Sequence, residues 1–243
     1  MATSTNGKSP ISSATKHQPE APDSPDSPDS PDSPEADDEL VNEAYDRGEA
    51  PCPDAPALIM DLFASCHRMV AAAIGVPLDS SSDTLSILDH YVQQSRGDVL
   101  AKPDVQAVLE RSIGAYFGEM VRQTYGGYWH ISGEADTWRL RLSSVFLQFN
   151  PVGIAREALV NDHADGWHAH TKVEKAYEPF VKARLDAFGD VDADEFFLPS
   201  SRWDALEVVV AAARERMVHD QEADGFFEES DYEDEEEDAG RLR

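Results

Sequence analysis

Cysteine is scarce: Cys52 and Cys66 are the two that the 243 residues hold, too few for a disulfide framework or a four-cysteine zinc site. A reducing cytoplasm is the setting this usage implies. Positive charge is scarce too, with 20 Lys and Arg against 48 Asp and Glu and a net charge of −28. Nucleic-acid binding needs cations to displace the counterions of the phosphate backbone, and adsorption to anionic lipid needs the same sign. Neither direct nucleic-acid binding nor membrane association is therefore expected. Long apolar runs are missing as well. The strongest, MVAAAIGV and VVVAAA, fall far short of the roughly 20 residues of a membrane span. The opening MATSTNGKSPISSATK contains neither an apolar secretory core nor arginine. No Gly-rich phosphate loop before a helix, no nucleophile elbow and no HExxH occurs, so no catalytic motif stands out and no cofactor is called for.

What the chain has in excess is acid, and it is unevenly spread. Residues 1–50 hold 12 Asp and Glu against 3 Lys and Arg, and residues 219–243 hold 12 against 2. Two-thirds of the excess charge thus falls in two terminal segments, which are expected to be disordered because such compositions bury too little apolar area to offset backbone ordering. Within the first, Pro-Asp-Ser repeats four times from Pro22, and proline at every third position favours an extended, solvated polyproline spacer. Ser24, Ser27, Ser30 and Ser33 each precede a proline, as a proline-directed kinase requires; an unmodified linker is the simpler reading.

The foldable part is residues 51–218. Helical spacing begins after Pro56, with Leu58, Leu62, Cys66 or Met69, and Ala73 on one face. A second helix follows DSSSD, with Asp83 as its cap and Leu85, Leu88, Tyr91 and Val92 inward. Pro103 suits the first turn of a third helix reaching about Tyr125. After Gly126 and Gly127 the period changes to two through YWHI, TWRLRLS and VFLQFN, a three-stranded antiparallel meander. Its Trp138, Leu140 and Leu142 face inward, while Arg139 and Arg141 face water or a partner. VGIAREALV, KVEKAYEPFVKARLDAF and SRWDALEVVVAAARERM add three helices, the last with a buried stripe of Trp203, Leu206, Val210, Ala213 and Met217. About six helices around a small sheet make a single α+β domain.

The stretch RSIGAYFGEMVRQTYGGYWHI, residues 111–131, is the centre of that domain. Leu109, Ile113, Tyr116, Phe117 and Met120 fill one helical face, and Gly114 and Gly118 stack one turn apart nearly opposite. Each interior glycine costs roughly 1 kcal/mol relative to alanine, which a close approach of another element would compensate. Glu119 and Arg122 are spaced for an i,i+3 ion pair. The alternative is a Glu119 of raised pKa acting as an acid or base, or as an interaction residue with Arg122. DTLSILDHYVQQ, IGAYFGEMVRQTYGGYW, TWRLRL and FNPVGIAREAL together resemble a family of uncharacterised bacterial cytosolic domains sharing a GAYxGExxRxxxGGxW pattern. The likeness spans residues 83–159 and implies a bacterial α+β domain with no assigned activity or site.

Two further groups are candidates. NDHADGWHAH gathers Asp162, His163, Asp165, His168 and His170. On an extended segment His168 and His170 would point the same way, which makes His163, His168 and His170 the candidate metal ligands. From Glu228 to Asp238 nine of eleven residues are acidic, beside Phe226, Phe227 and Tyr232, an arm that would steer a basic partner by charge and dock an aromatic. Cys66 neighbours His67 in a helix, where adjacent side chains diverge by about 100°, so the thiol is read as a small core residue. The reading that follows is a non-enzymatic interaction domain for a basic protein, of inhibitor or immunity type. Its rival is an enzyme or metal-dependent module using Glu119 with the histidine cluster.

Overall fold

The computed structural model describes residues 50–99, 102–189, 191–221 and 225–233; the Pro-Asp-Ser segment and its Ser-Pro sites lie outside them. Proline opens the third helix at its first position and glycine follows its last, so the chain builds α1 (Ala57–Ile74), α2 (Leu85–Val99) and α3 (Pro103–Tyr125) before any strand. β1 (Gly127–His130), β2 (Arg139–Leu142) and β3 (Leu147–Phe149) then form antiparallel pairs, with Trp129 opposite Leu140 and Leu140 opposite Phe149. Next come α4 (Pro151–Val160), β4 (Lys172–Val173), α5 (Glu178–Phe188) and α6 (Pro199–His219). The sheet has four strands in the order β1-β2-β3-β4, all antiparallel, and the fold is α+β.

α3 runs through the middle and is buried from Leu109 to Arg122 on nearly every side. A Cβ at Gly114 would stand 2.6 Å from Val152 Cα, and one at Gly118 would stand 2.4 Å from the Trp129 ring. The two glycines thus let α4 and β1 approach where any side chain would block them. Asn150 starts α4 by accepting a hydrogen bond from the Val152 N–H at 2.9 Å, and its side-chain amide donates to the Ala135 and Asp136 carbonyls. Gly126 ends α3 with φ 73° and ψ 161°, an extended conformation at positive φ that is open to glycine and differs from the left-handed helical cap.

Four expectations are corrected. The helix expected from Lys172 begins only at Glu178, because Lys172 and Val173 pair with Gln148 and Leu147 as a fourth strand. In α1 the buried residues are Ile59, Cys66 and Val70, while Leu58 is 49 % exposed; the buried face is turned away from Leu58 and lies opposite the exposed Asp61 and Arg68. The 18-residue α1, with mean hydropathy 1.5, is long and apolar enough to cross a membrane by length and composition alone. In the turn before α2 the organising carboxylate is Asp79, not Asp83. It accepts hydrogen bonds from Ser81 N–H, Ser81 Oγ and Thr84 Oγ1, which hold it below the usual carboxylate range.

The fourth correction concerns the second face of the sheet. Trp138, Leu140 and Leu142 are buried as expected, but Arg141 is also 0 % exposed. Residues 225–233, expected within a disordered tail, pack over it: the Phe227 N–H donates to Ser143 O, residues 229–233 form a helical turn, and Tyr232 is 0 % exposed. The Tyr232 hydroxyl lies in the turn between β2 and β3, donating toward Leu142 O at 2.6 Å and accepting from the Leu147 N–H at 3.0 Å. The Arg141 guanidinium sits 5.5 Å from the Tyr232 ring centroid, which gives the buried cation a π face. A segment rich in carboxylates can still fold back when one aromatic fills a prepared slot.

Candidate metal and ligand site at the end of α4

α4 is buried along most of its length, and its last turn carries Glu157, 1 % exposed. A buried carboxylate requires partners, and Glu157 has three. Arg202 of α6 donates to Oε2 at 2.5 Å, the Ala164 N–H donates to Oε1 at 3.2 Å, and His163 Nδ1 lies 3.6 Å from Oε1. Burial pulls the Arg202 guanidinium below its ordinary value while Glu157 pushes it back. Phe196 and Phe197 flank the same guanidinium, their ring centroids 4.5 and 5.5 Å from it.

Asn161, left-handed at φ 56°, ends α4 and turns the chain into the 161–171 loop. The loop is held against α4. A Cβ at Gly153 would stand 2.7 Å from Trp167 O, Arg156 stacks over the Trp167 ring, and the Asn150 N–H donates to His168 O. His163 and His170 consequently come together, their ring centroids 5.7 Å apart. Glu157, His163 and His170 each offer a ligand atom within 4.8 Å of the others. They border a hollow of about 440 Å³.

The expected trio of His163, His168 and His170 is therefore changed in one member. His168 has φ 52°, so the segment is not extended there and the alternation that would align His168 with His170 is broken. His168 sits near Arg139 and Asp136 instead, and burial followed by the Arg139 charge lowers its pKa. Glu157 takes its place in the cluster. Nothing in AREALV marks that residue, since the pairing depends on how the following loop folds back.

His170 and Arg202 also border a second cavity, of about 410 Å³, walled by Phe117, Phe149, Ile154, Leu185, Leu206 and Val209 among others. An apolar chamber with a few polar groups at its edge has the make-up of a small-molecule pocket.

The residues picked out on α3 lie elsewhere and are structural. Glu119 is 0 % exposed and receives Arg122 Nε and Nη2, both at 2.9 Å, with the Trp129 indole N–H at 2.6 Å. Arg122 also donates to Pro53 O and reaches Cys52 Sγ at 2.9 Å, and its bonds to Glu119 raise its pKa. Both members of the pair are used internally, so neither offers a surface to a partner. Of the arm residues, Tyr232 is buried, Phe227 is half-buried against Phe146, and Phe226 is 40 % exposed. Cys66 is a buried thiol whose pKa burial pushes up to about 12, and His67 stacks edge-on to Phe63 and Tyr116 rather than serving it.

Comparison of the chain with protein-family models, with curated proteins and with solved structures finds no match.

Proposed function

We propose that the chain is a non-enzymatic interaction domain that presents a carboxylate surface to a basic protein partner, in the manner of an inhibitor or immunity protein, in a cytoplasmic setting. The observation that carries the reading is the anchoring of the C-terminal segment by Tyr232. With that ring buried, Glu228, Glu229, Asp231 and Glu233 stand exposed at fixed positions beside the sheet. Their proximity is registered by Tyr128, whose pKa is raised by burial first and then by Glu228, Glu229 and Asp231. Acid held in place steers a cationic partner without the ordering cost of a free tail.

A second feature supports the reading. Ser143 Oγ donates to Pro51 O at 2.7 Å, and Ser143 O accepts from Phe227 N–H at 2.8 Å. Pro51 and Phe227, one from each end of the described fold, therefore meet at one residue, which fixes Glu228, Glu229 and Asp231 close to the entry of the chain into the fold. The partner is captured on immobilised full-length chain at low ionic strength, and its association rate is then measured at two salt concentrations. The reading predicts a basic partner whose on-rate falls with salt, and falls again when residues 225–243 are deleted. A partner that is not basic, or an on-rate indifferent to the deletion, refutes it.

A further inference from the structure

We infer that Glu157, His163 and His170 form a binding site for a divalent transition-metal ion of the zinc type. This goes beyond the interaction reading and does not depend on it. Two imidazoles and one carboxylate form a donor set suited to Zn²⁺, and their ligand atoms already lie within 4.8 Å of one another. Ligands bound at 2.0–2.1 Å around a tetrahedral ion stand roughly 3.3 Å apart, so assembly needs a closure of about 1.5 Å at most. That movement falls to the imidazoles, which belong to exposed residues, while Glu157 is the fixed corner.

The surroundings of Glu157 suit such a role. Arg202 holds Oε2 and the Ala164 N–H holds one side of Oε1, which orients the carboxylate as the outer partners of a metal ligand do. His163 Nδ1 approaches that same Oε1 at 3.6 Å, so one imidazole already stands beside the oxygen that Arg202 leaves free. The Arg202 charge opposes a cation but sits on the other oxygen, and the net charge around the hollow stays low because Asp165 also borders it. Loop and helix are already docked through Gly153 and Trp167, so the two histidines are held near the carboxylate before any ion arrives. Three protein ligands leave one vertex of a tetrahedron to water.

The test uses the untagged full-length chain, stripped of metal, titrated with Zn²⁺ by calorimetry and melted with and without the ion. One ion binds per chain, and it raises the melting temperature. His163→Ala and His170→Ala each weaken binding by more than about a hundredfold, beyond what loss of an outer partner costs, and melt like the parent when no metal is present. His168→Ala, on the same loop, binds as the parent does. The inference is overturned if the parent chain binds no zinc, if His168→Ala loses as much affinity as His170→Ala, or if binding survives all three changes, as it would were zinc held by the acidic termini.

Discussion

The indole nitrogen of Trp129 donates to Glu119 Oε1 at 2.6 Å, while the ring of the same tryptophan fills the space that Gly118 leaves bare. One side chain of β1 thus closes both the steric gap and the hydrogen-bonding demand of α3. Glu119→Gln keeps the shape but removes the counter-charge of Arg122, which is 7 % exposed. Breaking a buried pair from one side commonly costs about 3 kcal/mol or more, and chemical denaturation should report a loss of that order. A loss under about 1 kcal/mol would mean that Pro53 O and Cys52 Sγ suffice to hold Arg122.

Gly114→Ala and Gly97→Ala should move stability in opposite directions. A methyl at 114 meets the Val152 backbone at 2.6 Å, and backbone cannot swing aside, so a cost of about 1–3 kcal/mol is expected. Gly97 lies in α2 with nothing within 4 Å of an added Cβ, and there alanine should gain about 0.5–1 kcal/mol from helix propensity and the stiffer unfolded chain. Paired thermal melts decide the matter, and equal shifts would contradict the close packing of α3 on α4.

Tyr232→Phe keeps the ring against Phe146, stacked at 4.4 Å between centroids, but deletes the hydroxyl that bridges Leu142 O and the Leu147 N–H. The buried Leu147 N–H then lacks that partner, at a cost of about 1–3 kcal/mol. The loss should show as faster hydrogen exchange at 147 and as easier proteolysis between residues 221 and 233, with α3 unchanged. Protection that stays at the parent level would mean the hydroxyl contributes nothing to holding the segment.

Thiol chemistry should distinguish the two cysteines. Cys52 is exposed and Cys66 is buried, so a thiol reagent on the native protein should modify Cys52 and reach Cys66 only on unfolding. Burial holds the folded Cys66 thiol at about 12, above its ordinary value of 9.0. Its contribution to stability is therefore complete below about pH 9 and is lost as pH rises through that interval toward 12. Cys66→Ala should flatten the alkaline decline, and a second fast-reacting thiol in the parent would refute the burial.

Much of α3 and the first three strands could be read directly, because Gly114, Gly118, Gly126 and Gly127 each do something a side chain would prevent and because Trp138, Leu140 and Leu142 keep a period of two. β4 could not, since two residues have no period. Arg141 misled for a different reason: alternation predicts a solvent face only when nothing covers it, and the cover is a distant segment whose composition is dominated by acid. The same applies to Glu157. Its neighbours present it as an ordinary helix residue, and its partners are set by the turn at Asn161 and the left-handed backbone of His168.

The junction at Ser143 also bears on how freely the chain order can be rearranged. Pro51 and Phe227 bond to that one residue, so the ends of the described fold are spatial neighbours, the arrangement that circular permutation requires. A short linker from beyond Glu233 back to Ala50, with new ends opened at the exposed Gly133 between β1 and β2, would preserve every strand pairing in the sheet. Folding of such a permutant would make α1 an interior helix of the sequence, and the architecture would then rest on contacts rather than on which helix emerges first.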